Sequence, residues 1–319
     1  MFSLIIPVYK NEGSIQELIA SLEELNRAMT GDLEAIFVVD GSPDRSLALL
    51  LELLPGAGFA SQLLVLSRNF GSFPAILAGL ERGTGPHFAV MAADLQEPPE
   101  LILRFREKLL EGDVDLAVGR RIVRKDRLGR RVSSAIFWSL YRALVQRDIP
   151  RGGADVFACN TRVRDQLVSL RELNSTLIGL LFWVGFRRVE VPYTRGVRRH
   201  GVSSWSLARR ARYLLDSVFA FSDLPVRSLG IAGLLGMSLS LVLGAIVLIS
   251  KLVGDIGVPG YSATILTVVF FGGLNAFGLG LIGEYLWRTF ENTKARPPFI
   301  VAEHRRFPDG GTSHGSNRS

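Results

Sequence analysis

The chain has 319 residues, is 48% hydrophobic and carries a net charge of +7, a length that suits one large domain plus an extra module. Its single cysteine, Cys159, excludes an intrachain disulfide and fits a reducing compartment. The basic balance would suit nucleic acid, but no recognition motif or aromatic-interleaved basic segment is present; anionic lipid headgroups and phosphate ligands are the expected partners, and nucleic acid is not.

The amino terminus opens on strand-like Phe2-Ser3-Leu4-Ile5-Ile6-Pro7-Val8, without the basic region or cleavage site of a secretory signal. Apolar runs from Phe2 to Val8, Leu33 to Val39, Leu63 to Leu66 and Phe88 to Ala92 read as strands, each followed by helical spacing. That alternation predicts an α/β fold with a mostly parallel sheet. In the first helix Ser14 and Glu17 have capping-box spacing, and Ile15, Leu18, Ile19 and Leu22 share one face. Neither a Gly-x-Gly-x-x-Gly fingerprint nor a phosphate-binding loop ending in Lys-Ser/Thr is present, so nucleotide binding would need another device. Asp94 closes the fourth run and precedes Leu95-Gln96-Glu97-Pro98-Pro99, with Pro99 suited to the first turn of a helix. A buried strand ending this way delivers a carboxylate to the ligand side of an open sheet, where it would hold a cation or a sugar phosphate. Read alone, the same Asp could simply start a turn. Further strands are expected at Asp115 to Gly119 and Val189 to Pro192, and a helix from Ser133 to Leu144.

Between Ser206 and Phe221, Leu207, Ala211, Leu214, Leu215 and Val218 recur at helical spacing with Arg209, Arg210 and Arg212 opposite. This reads as an amphipathic helix on the membrane surface; the alternative is a helix packed on the soluble domain. From Leu229 to Ile249 and from Tyr261 to Gly283 the chain carries no charge, each run long enough to cross ~30 Å of hydrocarbon. Lys251 and Asp255 lie between them, whereas Arg209, Arg210, Arg212 and Arg227 precede and Arg288, Lys294 and Arg296 follow, which predicts two spans with both termini cytoplasmic. Pro297-Pro298 and the end from Pro308 to Ser319 read as a disordered tail. The expected division is a catalytic domain over 1–205, interfacial helix over 206–227, a transmembrane hairpin over 228–286 and a cytoplasmic tail over 287–319.

Four motifs occur in order: Ile5-Ile6-Pro7-Val8-Tyr9-Lys10-Asn11-Glu12, Val39-Asp40-Gly41-Ser42-Pro43-Asp44, Ser67-Arg68-Asn69-Phe70-Gly71 and Asp94-Leu95-Gln96-Glu97-Pro98-Pro99. They are joined by Gly119-Arg120-Arg121-Ile122-Val123-Arg124, Trp183-Val184-Gly185-Phe186-Arg187 and Arg198-Arg199-His200-Gly201-Val202-Ser203. This ordered set resembles the family 2 glycosyltransferases of the GT-A fold, and within them the polyprenyl-phosphate group that includes dolichyl-phosphate mannose synthase and the bactoprenol glucosyltransferases. The resemblance spans residues 2 to about 300 and extends to the group's juxtamembrane helix and two membrane spans.

The resemblance implies a metal-dependent, inverting hexosyltransferase of the cytoplasmic (inner) membrane, which moves a sugar from a nucleotide-sugar donor to a polyprenyl phosphate, undecaprenyl phosphate in a bacterium. Pro7, Tyr9, Glu12 and Asp40 would line the nucleoside pocket, and Asp94 and Gln96 would hold Mg²⁺ or Mn²⁺. Arg121, Arg124 and Arg131 would position the acceptor phosphate, although the same basic run could be a solvated or lipid-facing surface. Asp155 matches a position near sugar and acceptor, and Arg198 and Ser203 a segment that closes over the diphosphate; a turn is the plainer reading of these three. The resemblance also admits a homo-oligomer, such as a tetramer, which the sequence leaves open.

Several positions depart from the pattern. Val39 replaces the first of an Asp-Asp pair, and Ala92 the first Asp of Asp-x-Asp. Ser204-Trp205 stands where a Lys often follows, and Phe157 or its neighbour replaces an Arg. These losses motivate a second reading, a non-catalytic nucleotide-binding membrane scaffold. A processive polysaccharide synthase would bring more spans and a Gln-x-x-Arg-Trp motif, which is absent.

Overall fold

Side-chain alternation along the first two strands divides the core into two layers. Leu4, Ile6 and Val8 of β1 (Phe2–Val8) pack with Ala35, Phe37 and Val39 of β2 (Leu33–Val39) on one face, whereas Ile5, Ile36 and Val38 point to the other. The structure, a computed structural model, describes residues 1–122, 139–143, 145, 149, 156–170, 172, 175–196, 207–253 and 261–308. The first face is covered by α1 (Ile15–Ala28), α2 (Ser46–Leu53) and α4 (Pro99–Leu110), the second by α3 (Ser72–Arg82), α5 (Thr161–Ser169) and α6 (Leu177–Trp183). The other strands are β3 (Ala60–Leu66), β4 (His87–Val90), β5 (Leu116–Arg121), β6 (Phe157–Asn160), β7 (Arg188–Tyr193) and β8 (Val301–Phe307), in the order β7-β5-β6-β4-β1-β2-β3-β8. Strands β6 and β8 run against the other six. Apart from those two the fold is the predicted α/β arrangement. Of the expected 133–144 helix, residues 139–143 are described and helical.

Three local features differ from the sequence reading. Ser14 precedes α1 but makes no side-chain cap; its hydroxyl donates to the carbonyls of Asn11 and Ala93 at 3.0 and 2.8 Å, tying the loop after β1 to the loop after β4. The segment after Pro298 is not wholly a tail, because β8 pairs antiparallel with β3 from Ser61↔Phe307 to Leu66↔Val301. The third is a buried carboxylate: Glu34, 5% exposed, accepts hydrogen bonds from Ser3 Oγ, Gln62 Nε2, Thr84 N and Thr84 Oγ1. With its oxygens so satisfied it knits β1, β2 and β3 instead of disrupting them.

Beyond the sheet come α7 (Leu207–Phe221), α8 (Leu224–Val253) and α9 (Tyr261–Thr293). On α7, Tyr213, Leu214 and Phe221 pack on the second core layer and Ser217 is fully buried, so this face docks on the α/β domain, while Leu215 is exposed. Helices α8 and α9 contain stretches long and apolar enough to cross a membrane, Leu224–Ile246 and Thr267–Thr293. Their large apolar side chains face outward, Leu241 at 69% and Leu252 at 78% exposure, unlike a core helix. Arg288 on α9 joins them to α7: it donates to Glu284 and to Asp216 of α7, both at 2.8 Å, with the Phe219 ring 5.0 Å away.

Candidate active site at the strand ends

The six parallel strands end on one side of the sheet, where an open α/β fold binds ligands. Between β1 and β4 the ends separate. β1 stays paired with β2 to Val8↔Val39, but its last partner on β4 is Val90, opposite Ile5. Pro7 lies on β1 beyond that point, so its missing N–H costs no ladder bond and the crevice opens beside it.

Two loops bind each other at the first half of this crevice. Asp44 accepts from Ser42 Oγ at 2.6 Å, Ser46 Oγ at 2.9 Å, and the N–H groups of Ser46 and Glu12 at 3.2 and 3.0 Å. Burial alone would raise its carboxyl, but these donors together hold it below the usual range. Lys10 N–H donates to Ser42 Oγ, Asn11 N–H to Ser46 Oγ, and Arg45 N–H to the Glu12 carboxylate. Tyr9 stands exposed at the rim, with the Lys10 ammonium 5.4 Å from its ring centre. Asp40, 3% exposed, takes the N–H groups of Phe70 and Gly71 at 2.6 and 2.8 Å, which fixes the N-terminus of α3. Burial pushes its carboxyl up, partly opposed by those two donors and by Arg68. Gly41 has φ of +56°, and a Cβ there would lie 2.5 Å from the backbone of Arg68 and Asn69, so only glycine lets the loops meet. Val39 is buried in the core and Ala92 sits beside Glu97.

The second half of the crevice is built around Asp94. Gln96 N–H donates to Asp94 Oδ1 at 3.3 Å, and Leu95 between them has φ of +55°. For a residue with a Cβ that left-handed conformation costs ~1–2 kcal/mol. Glu97, 1% exposed, accepts from Ala92 N–H at 3.3 Å and lies 3.6 Å from Arg195 Nε. Burial pushes its carboxyl up, Arg195 opposes the shift and the Asp94 charge adds to it. Gly196 N–H donates to the Gln96 carbonyl at 2.7 Å. Arg121 ends β5 opposite Tyr193 of β7 and donates from Nε to its hydroxyl at 3.4 Å. Burial raises that phenol, with Arg121 opposing.

Asp94, Gln96 and Arg121 therefore share one end of the crevice; Pro7 lies near the end of β1, and Tyr9, Glu12 and Asp40 belong to the adjoining loops. Arg124, Arg131, Asp155, Arg198 and Ser203 lie outside the described residues. Sequence reasoning missed Asp44, Glu97, Tyr193 and Arg195. Asp44 and Glu97 lay inside two of the ordered motifs and Tyr193 just past a predicted strand end, whereas Arg195 carried no local signal. Among the described residues no three His, Cys, Asp or Glu side chains gather as a metal cage. Asp94 and Gln96 offer two hard oxygen donors on one turn, a set that suits Mg²⁺ or Mn²⁺, since such ions keep waters and take substrate phosphate oxygens.

The family model described as Glycosyl transferase family 2 matches residues 3–170. The chain is 35% identical over 305 residues to "Uncharacterized glycosyltransferase YkcC" of Bacillus subtilis, covering 94% of this chain and 93% of that one. It is 31% identical to "Uncharacterized glycosyltransferase sll0501" of Synechocystis, covering 94% of each. To a "Bactoprenol glucosyl transferase" of Shigella phage SfX it is 29% identical, covering 95% and 99%.

Proposed function

The chain belongs to glycosyl transferase family 2, and from that premise we propose that it moves a sugar from a nucleotide-sugar donor to a polyprenyl phosphate at the cytoplasmic face of a membrane. Its class is a glycosyltransferase with a GT-A-like, mostly parallel sheet. The acceptor reading is supported by the named bactoprenol relative, aligned over nearly the whole of both chains. The observation that carries the catalytic reading is the Asp94-Leu95-Gln96 turn at the β1/β4 crevice, held in a strained conformation by the segment leaving β7.

In this reading the loops of Tyr9, Glu12 and Asp40 take the nucleoside, and Asp40 acts by fixing the neighbouring loop through Phe70 and Gly71. Asp94 and Gln96 hold a divalent cation, which when bound neutralises charge on the leaving diphosphate. Arg121 meets the acceptor phosphate, joined by Arg124 and Arg131; Asp155 lies near the transferred sugar, and Arg198 and Ser203 close over the diphosphate. A phosphate monoester with a second pKa of ~6 is already largely ionised near neutral pH, so no general base is required. A phosphate oxygen attacks the anomeric carbon as the bond to the diphosphate breaks, and attack from the opposite face inverts that centre through an oxocarbenium-like transition state. Helices α8 and α9 cross the bilayer and α7 lies between bilayer and sheet, so donor and lipid phosphate meet at the membrane surface. The test is incubation of purified membranes with labelled nucleotide sugars and undecaprenyl phosphate. A metal-dependent lipid-linked sugar, lost in Asp94→Ala, supports the reading; nucleotide binding without turnover across common donors would favour the scaffold instead.

A further inference from the structure

We propose that Glu97 and Arg195 are positioning residues, a latch that holds the Asp94-Leu95-Gln96 turn against the segment leaving β7 and so presets the grip on cation and diphosphate. The proposal rests on the function given above and deepens it. Leu95 sits at φ of +55° without the freedom of glycine, and such a conformation persists only where its surroundings over-determine it. The restraints come from the other side of the crevice. Gly196 N–H reaches the Gln96 carbonyl at 2.7 Å, and Arg195, one residue earlier, faces the Glu97 carboxylate at 3.6 Å. Glu97 in turn accepts from Ala92 N–H at 3.3 Å, so the turn is gripped at both ends.

A carboxylate 1% exposed burdens the fold, the more so beside the like charge of Asp94. Glu97 Oε1 accepts no hydrogen bond among the described residues. An apolar side chain would fill that space with less desolvation cost. What the carboxylate adds is a fixed anchor for Arg195, and through Arg195 for the backbone that carries Gly196 onto Gln96. Groups that orient metal-binding side chains in this way act on affinity without touching the substrate.

The test uses the full chain in detergent micelles with Glu97→Gln, Arg195→Gln, the double variant and Arg195→Lys. Amide hydrogen exchange in peptides covering 94–97 and 192–196 is expected to quicken in each Gln variant, no further in the double, while peptides of β1 and β2 stay protected. In the transfer assay the Mn²⁺ concentration for half-maximal rate should rise by about tenfold, with half-saturation for undecaprenyl phosphate unchanged and Arg195→Lys partly restored. Unchanged exchange in Glu97→Gln, or equal loss in every kinetic parameter, overturns the latch. If the wild type transfers no sugar from any donor, the functional reading fails and the exchange measurement alone decides the latch.

Discussion

His304 on β8 lies 2.8 Å from Gln62 on β3, a contact between residues 242 positions apart. Gln62 Nε2 donates to Glu34 Oε1 and to the Arg82 carbonyl, so its Oε1 is the acceptor and His304 Nε2 carries the proton. The chain thus returns from the paired long helices to the edge of the sheet and ties into the buried Glu34 network. Burial, with Arg306 and Arg82 nearby, holds the His304 imidazole below its ordinary value of 6.5. The folded state therefore binds fewer protons than the unfolded one between those two values. The stabilising effect is complete above 6.5 and declines as pH falls toward the lowered value. Protection of the β3 and β8 amides, taken relative to each amide's intrinsic exchange rate, should fall as pH drops from 7 to 5.5. In His304→Ala this pH dependence should vanish, with a loss of about 0.5–1 kcal/mol at pH 7.

Arg288 makes a second long connection, from α9 to Asp216 on α7, and stacks beside Phe219. Arg288→Met keeps most of the aliphatic stem but removes both ion pairs. Asp216 and Glu284 are 38% and 41% exposed, so water takes up their oxygens and the cost stays near 1 kcal/mol. Amide exchange over 213–221 should rise while the sheet keeps its protection. Equal loosening everywhere would show that α7 is not held separately.

The central strands were legible because Phe2 to Val8 and Leu33 to Val39 are buried on both faces, which leaves apolar runs interrupted only by Ser3 and Glu34. β8 is the opposite case. As an edge strand it carries Glu303, Arg305 and Arg306 among largely exposed residues, with His304 alone turned to Gln62, a composition that reads as tail and blunts the edge against pairing with other chains. β6 has four residues, too few for a period. At the site, Asp94 could be found because it follows a strand. The burial of Glu97 could not, since it depends on the left-handed turn at Leu95 and on Arg195 arriving from another part of the chain. For the same reason the Ser14 capping box misled: Ala93 supplied a better acceptor for the hydroxyl than the helix end supplied a donor.

Asp44 draws four donors and its carboxyl is held down by them. Its folded value lies below the ordinary 3.8, so the stability it contributes is present above that value and is lost as pH falls through the lowered one. Asp44→Asn presents an NH₂ where only acceptors fit, and should cost about 1.5–3 kcal/mol at pH 7. The gap between the unfolding curves of variant and wild type should narrow only below pH 3.8, as pH falls toward the lowered value. Because the loops joined by Asp44 flank the end of the crevice proposed for the nucleoside, the variant should weaken donor half-saturation more than acceptor half-saturation.

Asp94→Asn and Gln96→Ala separate charge from coordination at the crevice. Asn keeps the shape of Asp94 and an oxygen for the Gln96 N–H, so the turn should hold and thermal unfolding should barely shift. What it removes is the negative charge proposed to attract the cation, and transfer should fall by at least ~100-fold without recovery at high Mn²⁺. Gln96→Ala removes only a neutral amide oxygen and leaves the backbone carbonyl that Gly196 uses, so its loss should be smaller and largely recovered when Mn²⁺ is raised. If Asp94→Asn transferred sugar as well as wild type, the carboxylate would have no part in holding the cation. A pair of variants equally impaired and equally insensitive to Mn²⁺ would instead place the metal grip elsewhere.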